Sequence, residues 1–136
     1  MPKLSVWLVK ASLIHMGVGF LFGALILFHK GIAFYGGVWK LLNPHIALMI
    51  FGWTMQLIIG VAFFALPRFS NRDSRYGAVH LGWGSFYLFN AGIVISALAY
   101  WFGNDANVLI GHLLILLGTV TYVLMIWPRV KPFAVG

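Results

Sequence analysis

The chain contains no cysteine. Disulfides, iron–sulfur clusters, thiolate-ligated haem and covalent haem attachment through C-x-x-C-H are therefore excluded, and any metal must be held by other side chains. Acid is almost as scarce, with Asp73 and Asp105 the only carboxylates among 136 residues. Neither falls inside a hydrophobic stretch, so a carboxylate-based proton pump or cation transporter lacks its machinery. Gly-rich phosphate loops, nucleophile elbows and metalloprotease helices are missing as well. Charged residues make up 8% of the chain and hydrophobic ones 62%, whereas soluble domains carry about 25% charged residues. This composition is that of an integral membrane protein with the lipid bilayer as its first partner. The formal charge of +7 does not point to nucleic acid, because the basic residues sit at the ends of the hydrophobic stretches, where they anchor and orient helices.

Four spans are expected, at residues 6–28, 44–66, 78–102 and 108–127, giving an all-α four-helix membrane bundle in a single domain over 1–136. Met1-Pro-Lys3 is a weak charged start, and the apolar run behind it is longer than a signal-peptide core, so the first span is read as retained. Lys3, Arg68, Arg72, Arg75, Arg129 and Lys131, with Lys10 close enough to snorkel, share one side, and only Lys30 and Lys40 lie on the other. The positive-inside rule then places both termini in the cytoplasm, in a multi-pass protein of the cell (inner) membrane.

With cysteine absent and acid scarce, the five histidines are the leading candidate ligands. The stretch Asn43–Arg68 opens with Asn43 as a helix cap, Pro44 at the first helical position and His45 directly behind it. A histidine carried into a membrane helix is costly and marks function by default. His112 stands in the same relation to the fourth span. Both belong to helices running the same way, and two neutral imidazoles can hold a haem iron from opposite faces. Gly52 and Thr119, each seven residues further on, share a face with His45 and His112, and at Gly52 the missing side chain leaves room for a flat macrocycle. Lys30, Trp39, Lys40, Asn43, Asn104 and Asn107 are candidate partners for haem propionates. His15 and His80 form a second, weaker metal pair, for which packing or a proton relay competes. His29, beside Lys30, reads as an interfacial residue or a propionate contact, and Gln56 and Asn90 as amides bonding between helices.

An internal repeat supports this pairing. His15-Met-Gly-Val-Gly19 recurs as His80-Leu-Gly-Trp-Gly84 at an offset of 65, and Leu66-Pro-Arg68 recurs as Trp127-Pro-Arg129. The chain reads as a tandem duplication of a two-helix hairpin, with a pseudo-twofold axis along the membrane normal. One mismatch remains: His45 lies 22 residues before Pro67 and His112 only 16 before Pro128, a difference in depth of about 9 Å. Gly19-x-x-x-Gly23 reads as a small-residue contact for close helix packing, and the glycine-rich spans in general suggest a homo-oligomer.

His45, Gly52-Trp53, Gly60-Val-Ala62 and Leu66-Pro67-Arg68 together resemble one span of the catalytic subunit of the haem–copper oxidase superfamily, nearest its nitric oxide reductase and cbb3-like branches, and Leu88-Phe-Asn-Ala-Gly92 is similar to part of another span. The resemblance implies that His45 is a low-spin haem b ligand and His112 the opposing one. The further histidines of that family's binuclear centre have no counterpart here. A stand-alone relative is therefore expected, holding haem b (a second haem only if His15 and His80 also ligate) and carrying out bis-histidine electron transfer or redox or gas sensing. Its partner would be an electron donor or acceptor protein or a quinol. A non-haem transporter or respiratory-complex assembly factor, and a reductase of nitric oxide or oxygen at a five-coordinate haem, are the alternatives.

Overall fold

Apolar stretches of about 20 residues satisfy their backbone polar groups in hydrocarbon only as helices or closed barrels, and the period here is helical. The computed structural model describes residues 1–69 and 75–130, and among them every regular element is a helix. Helix α1 is Lys3–Gly31. Helix α2 is one continuous span, Gly36–Ala65, built from a 3-10 turn (Gly36–Leu41), an α turn (Leu42–Ala47), a π-helical segment (Leu48–Met55) and a final α segment (Gln56–Ala65). Helix α3 is Val79–Phe102 and α4 is Asp105–Ile126, extended by a 3-10 turn at Trp127–Arg129. All four are long and apolar enough to cross a membrane, and they form the expected four-helix bundle.

Local chemistry sets the ends. Gly103 takes the left-handed conformation (φ 69°) that closes α3. The Asn104 side chain then accepts from the Asn107 N–H at 3.1 Å and caps α4, with Asp105 in the first turn facing the helix dipole. Leu66, held extended ahead of Pro67, stops α2. Asn43 is not the cap it was expected to be. The 3-10 turn at Gly36–Leu41 leads into α2 before it is reached, so Asn43 is an exposed residue inside the helix and makes no cap bond.

The helices pack as two hairpins through small residues. Between α3 and α4, a Cβ on Gly92 would lie 2.6 Å from the Gly111 carbonyl, and one on Gly111 would lie 2.7 Å from the Ser96 amide. The Ser85 hydroxyl donates to the Gly118 carbonyl at 2.6 Å. Between α1 and α2, Ser5 makes the equivalent bond to the Gly60 carbonyl, also at 2.6 Å. Leu4, Leu8, Ile59, Phe63, Phe89, Ile93, Tyr122 and Met125 fill the core where the hairpins meet. Apolar side chains such as Ile14, Leu27, Leu109 and Leu124 lie exposed on the outside, where a bilayer would solvate them. Gly19 and Gly23 are covered by Met49 and His45 of α2. The Gly19-x-x-x-Gly23 face is thus used for close packing within the chain.

The register departs from the repeat. Leu4 of α1 lies against Gly82 of α3, which fixes the relative depth of the two parallel helices. His15 is 11 residues beyond Leu4 and His80 two before Gly82, so the two rings differ in depth by about 20 Å. A pseudo-twofold relation at an offset of 65 would have put them level.

Candidate functional site

The seam between α1 and α2 carries two imidazoles, one from each helix. His45 of α2 points at α1. Its Nδ1 lies 2.7 Å from the Gly19 carbonyl, and because a carbonyl only accepts, Nδ1 carries the proton. Nε2 is then left with its lone pair, the arrangement that a backbone carbonyl imposes on metal-binding histidines. A Cβ on Gly23 would come within 2.9 Å of the ring, so Gly23 is the wall the imidazole rests on. His45 shares a half-open groove of about 460 Å³ with Phe20, Gly23, Ala24, Ile26, Leu27 and Leu42. That volume falls within the ~300–1,000 Å³ of small-molecule and cofactor sites. Among these lining side chains, only His45 carries a donor atom.

His15 of α1 points back at α2 about two turns deeper. It is 8% exposed, and its Nδ1 lies 3.1 Å from Gln56 Oε1 and 3.3 Å from the Gly52 carbonyl. The π segment of α2 lies at this level, with the Gln56 N–H reaching back five residues to Phe51. Such segments occur mostly as local defects, often at functional sites. Gly52 does not leave room for a macrocycle beside His45. A Cβ there would lie 2.7 Å from the His15 ring, which fills the space. Gln56 is fully buried, and its amide nitrogen has no partner among the described residues.

His112 occupies a different seam. Its Nδ1 donates to the Val108 carbonyl of its own helix at 2.8 Å, and its ring packs edge-on against Phe51 of α2 at 6.0 Å and Tyr100 of α3 at 6.1 Å. The Nε of Arg129 bonds the Pro67 carbonyl at 3.0 Å, so the ends of α2 and α4 are level and the depth mismatch between His45 and His112 persists. The structure does not bring these two rings to one pocket, and as a pair they do not fit opposite faces of one haem. His45 alone fits as an axial ligand. His15 and His80 are not brought together either, because His15 is buried in the α1/α2 seam and His80 is exposed in the first turn of α3.

The remaining candidate residues divide similarly. The Thr119 hydroxyl bonds the Ile115 carbonyl of its own helix at 2.8 Å. Lys30, Trp39, Lys40 and Asn43 are exposed at the end of the bundle where His45 lies, with Trp39 edge-on to His29 at 6.5 Å. His29 accepts from the Phe34 and Tyr35 amides at 3.3 and 3.4 Å and so shapes the turn between α1 and α2. Asn104 and Asn107 border a separate recess at the α3/α4 end. Asn90 donates to Phe86 within its own helix. Arg72, Asp73 and Lys131 lie outside the described residues. Arg129, expected to be a surface anchor, is 1% exposed. Its Nη2 donates to the Phe63 and Leu66 carbonyls at 2.9 and 2.7 Å, so the guanidinium caps the C-terminal end of α2. Sequence reasoning missed this role, although the Leu66-Pro-Arg68 and Trp127-Pro-Arg129 pair was the signal that these two ends belong together.

Fold and site define a small all-helical protein with four helices of membrane-crossing length and one apolar groove that presents a single oriented imidazole. Comparison with protein-family models, with curated proteins and with solved structures finds no match for the chain.

Proposed function

We propose that this chain is a multi-pass protein of the cell membrane that binds haem b through His45, with both termini cytoplasmic, and serves electron transfer or redox or gas sensing. One observation carries the reading. The Nδ1 proton of His45 is committed to the Gly19 carbonyl at 2.7 Å, which leaves the lone pair on Nε2 of a side chain that lines a groove of otherwise apolar residues. Haem b supplies one-electron redox chemistry when bound. Gly23 and the Gly19 carbonyl orient the imidazole. Phe20, Ala24, Leu27 and Leu42 would give the group an apolar wall, and Lys40, Trp39 and Asn43, exposed at the same end of the bundle, would be the partners for its propionates. The resemblance of His45, Gly52-Trp53 and Leu66-Pro67-Arg68 to a haem–copper oxidase span favours the same cofactor.

A second reading, a non-haem transporter or assembly factor, is favoured by the internal hydrogen bonds of His15 and His112, which suit structural roles. The visible spectrum of the purified protein, oxidised and reduced, separates the two. His45→Ala should abolish the pigment, whereas His112→Ala should retain it, because that ring lies outside the groove. A colourless wild type from haem-replete cells would overturn the proposal.

A further inference from the structure

The end of the bundle that carries the N-terminus gathers cations around one tyrosine. Tyr76, just ahead of α3, stacks on Phe63 of α2 at 5.4 Å. The Arg68 guanidinium carbon lies 5.3 Å from the Tyr76 ring centre and that of Arg129 lies 5.5 Å from it. Three nitrogens of Arg129 have different fates. Nε and Nη2 are taken by the carbonyls at the end of α2, and Nη1 is buried with no partner among the described residues. Arg68 is exposed. Lys3 and Arg75 are exposed at the same end. No carboxylate among the described residues faces these cations. Asp105 begins α4 at the opposite end of the bundle, and Asp73, the other acid of the chain, lies outside the described residues.

Two guanidinium groups held against one ring repel each other, and in a partly apolar setting that repulsion needs a counter-ion. The carbonyls of Phe63, Leu66 and Pro67 supply partial negative charge only. Arg68, Tyr76 and Arg129 converge from three separate segments at the point where helices of membrane-crossing length end, which is the depth of lipid phosphates in a bilayer. Guanidinium is the side chain best matched to phosphate, binding it through paired N–H donors.

We infer that the Arg68–Tyr76–Arg129 cluster is a binding site for the phosphate of a phospholipid headgroup. Arg68 donates to the phosphate oxygens, Arg129 supplies a fixed positive field from behind Tyr76, and the acyl chains lie along the apolar outside of the bundle. The inference rests on the helices lying across a bilayer and is independent of the haem reading.

The test is native mass spectrometry of the full chain, released from detergent after titration with phosphatidylglycerol, phosphatidylcholine, diacylglycerol or inorganic phosphate. Arg129→Gln removes the clasp on α2 and is expected to unfold, so Arg68→Gln is the informative variant. One phospholipid should be retained per chain whether its headgroup is anionic or zwitterionic, and diacylglycerol should not be retained. Arg68→Gln should weaken retention about tenfold, the size of one lost charge-assisted hydrogen bond. Arg68→Lys should restore part of it. Equal retention of diacylglycerol, or unchanged retention in Arg68→Gln, overturns the site. Displacement of the phospholipid by millimolar inorganic phosphate would reassign it to a soluble anion. If the wild type retains no lipid and Asp73→Asn gains it, the chain supplies its own counter-ion and the inference falls.

Discussion

Gly23 offers the sharpest test of how His45 is held, because the same substitution can be made six residues away on the same helix where it meets nothing. Replacing glycine by alanine inside a helix gains up to about 1 kcal/mol of helix propensity. At Gly17, where a Cβ would find no atom within 4 Å, Gly17→Ala should therefore be neutral or stabilising. At Gly23 the added methyl would sit 2.9 Å from Cε1 and 3.3 Å from Nδ1 of His45. A free side-chain tip would swing aside at little cost. This one is pinned by its 2.7 Å bond to the Gly19 carbonyl, so relief of the overlap must stretch that bond. Overpacking costs about 1–3 kcal/mol and a weakened hydrogen bond up to about 1 kcal/mol more. Since propensity favours both variants alike, Gly23→Ala should be less stable than Gly17→Ala by about 1–4 kcal/mol. Reversible unfolding of the two variants in mixed micelles measures the difference, and nitrogen-15 NMR of the histidine ring reports whether Nδ1 keeps its proton and its bond. Equal stabilities together with an unshifted His45 resonance would refute the claim that Gly23 and Gly19 position this ring.

Two further predictions concern the frame that carries the site. Arg129→Met should destabilise the bundle by about 3 kcal/mol or more, because the α2 carbonyls of Phe63, Leu66 and Pro67 lose their charged donor; Arg129→Lys should recover little, since a lysine lacks the planar fork, and full recovery in denaturant unfolding would contradict the clasp. Gly111→Ala should cost about 1–3 kcal/mol, because its Cβ would meet the Ser96 amide and the Gly92 carbonyl at 2.7 and 2.8 Å and backbone cannot step aside as a side chain can. Gly84→Ala, where nothing lies within 4 Å, is the matched control, and equal midpoints for the two would show that α3 and α4 are not in backbone contact.

What could be read from the residues depended on the range of the interaction that fixed it. Span number and type follow from hydrophobic runs of membrane length, which are local and hard to mistake. The start of α2 was misplaced because Asn43-Pro44 is a good local cap signal, whereas Gly36–Leu41 carries no strong helix signature and coils only as the lead-in to a packed helix. Gly52 was assigned to the wrong neighbour for a related reason. Spacing shows which residues share a face with His45 but not what stands opposite, and the occupant is His15 from another helix.

By itself the sequence determined an all-helical chain of four membrane-length spans, the exclusion of thiolate chemistry, and imidazole as the available ligand, because composition and run length fix solvent preference and donor type. Only the tertiary structure decided which imidazoles share a site. The interhelical contacts of Leu4 with Gly82 and of Arg129 with the end of α2 set depths that no spacing along the chain encodes. Those depths separate His15 from His80, as packing separates His45 from His112, and they leave His45 alone in its groove, with Gly19 and Gly23 rather than Gly52 shaping its surroundings.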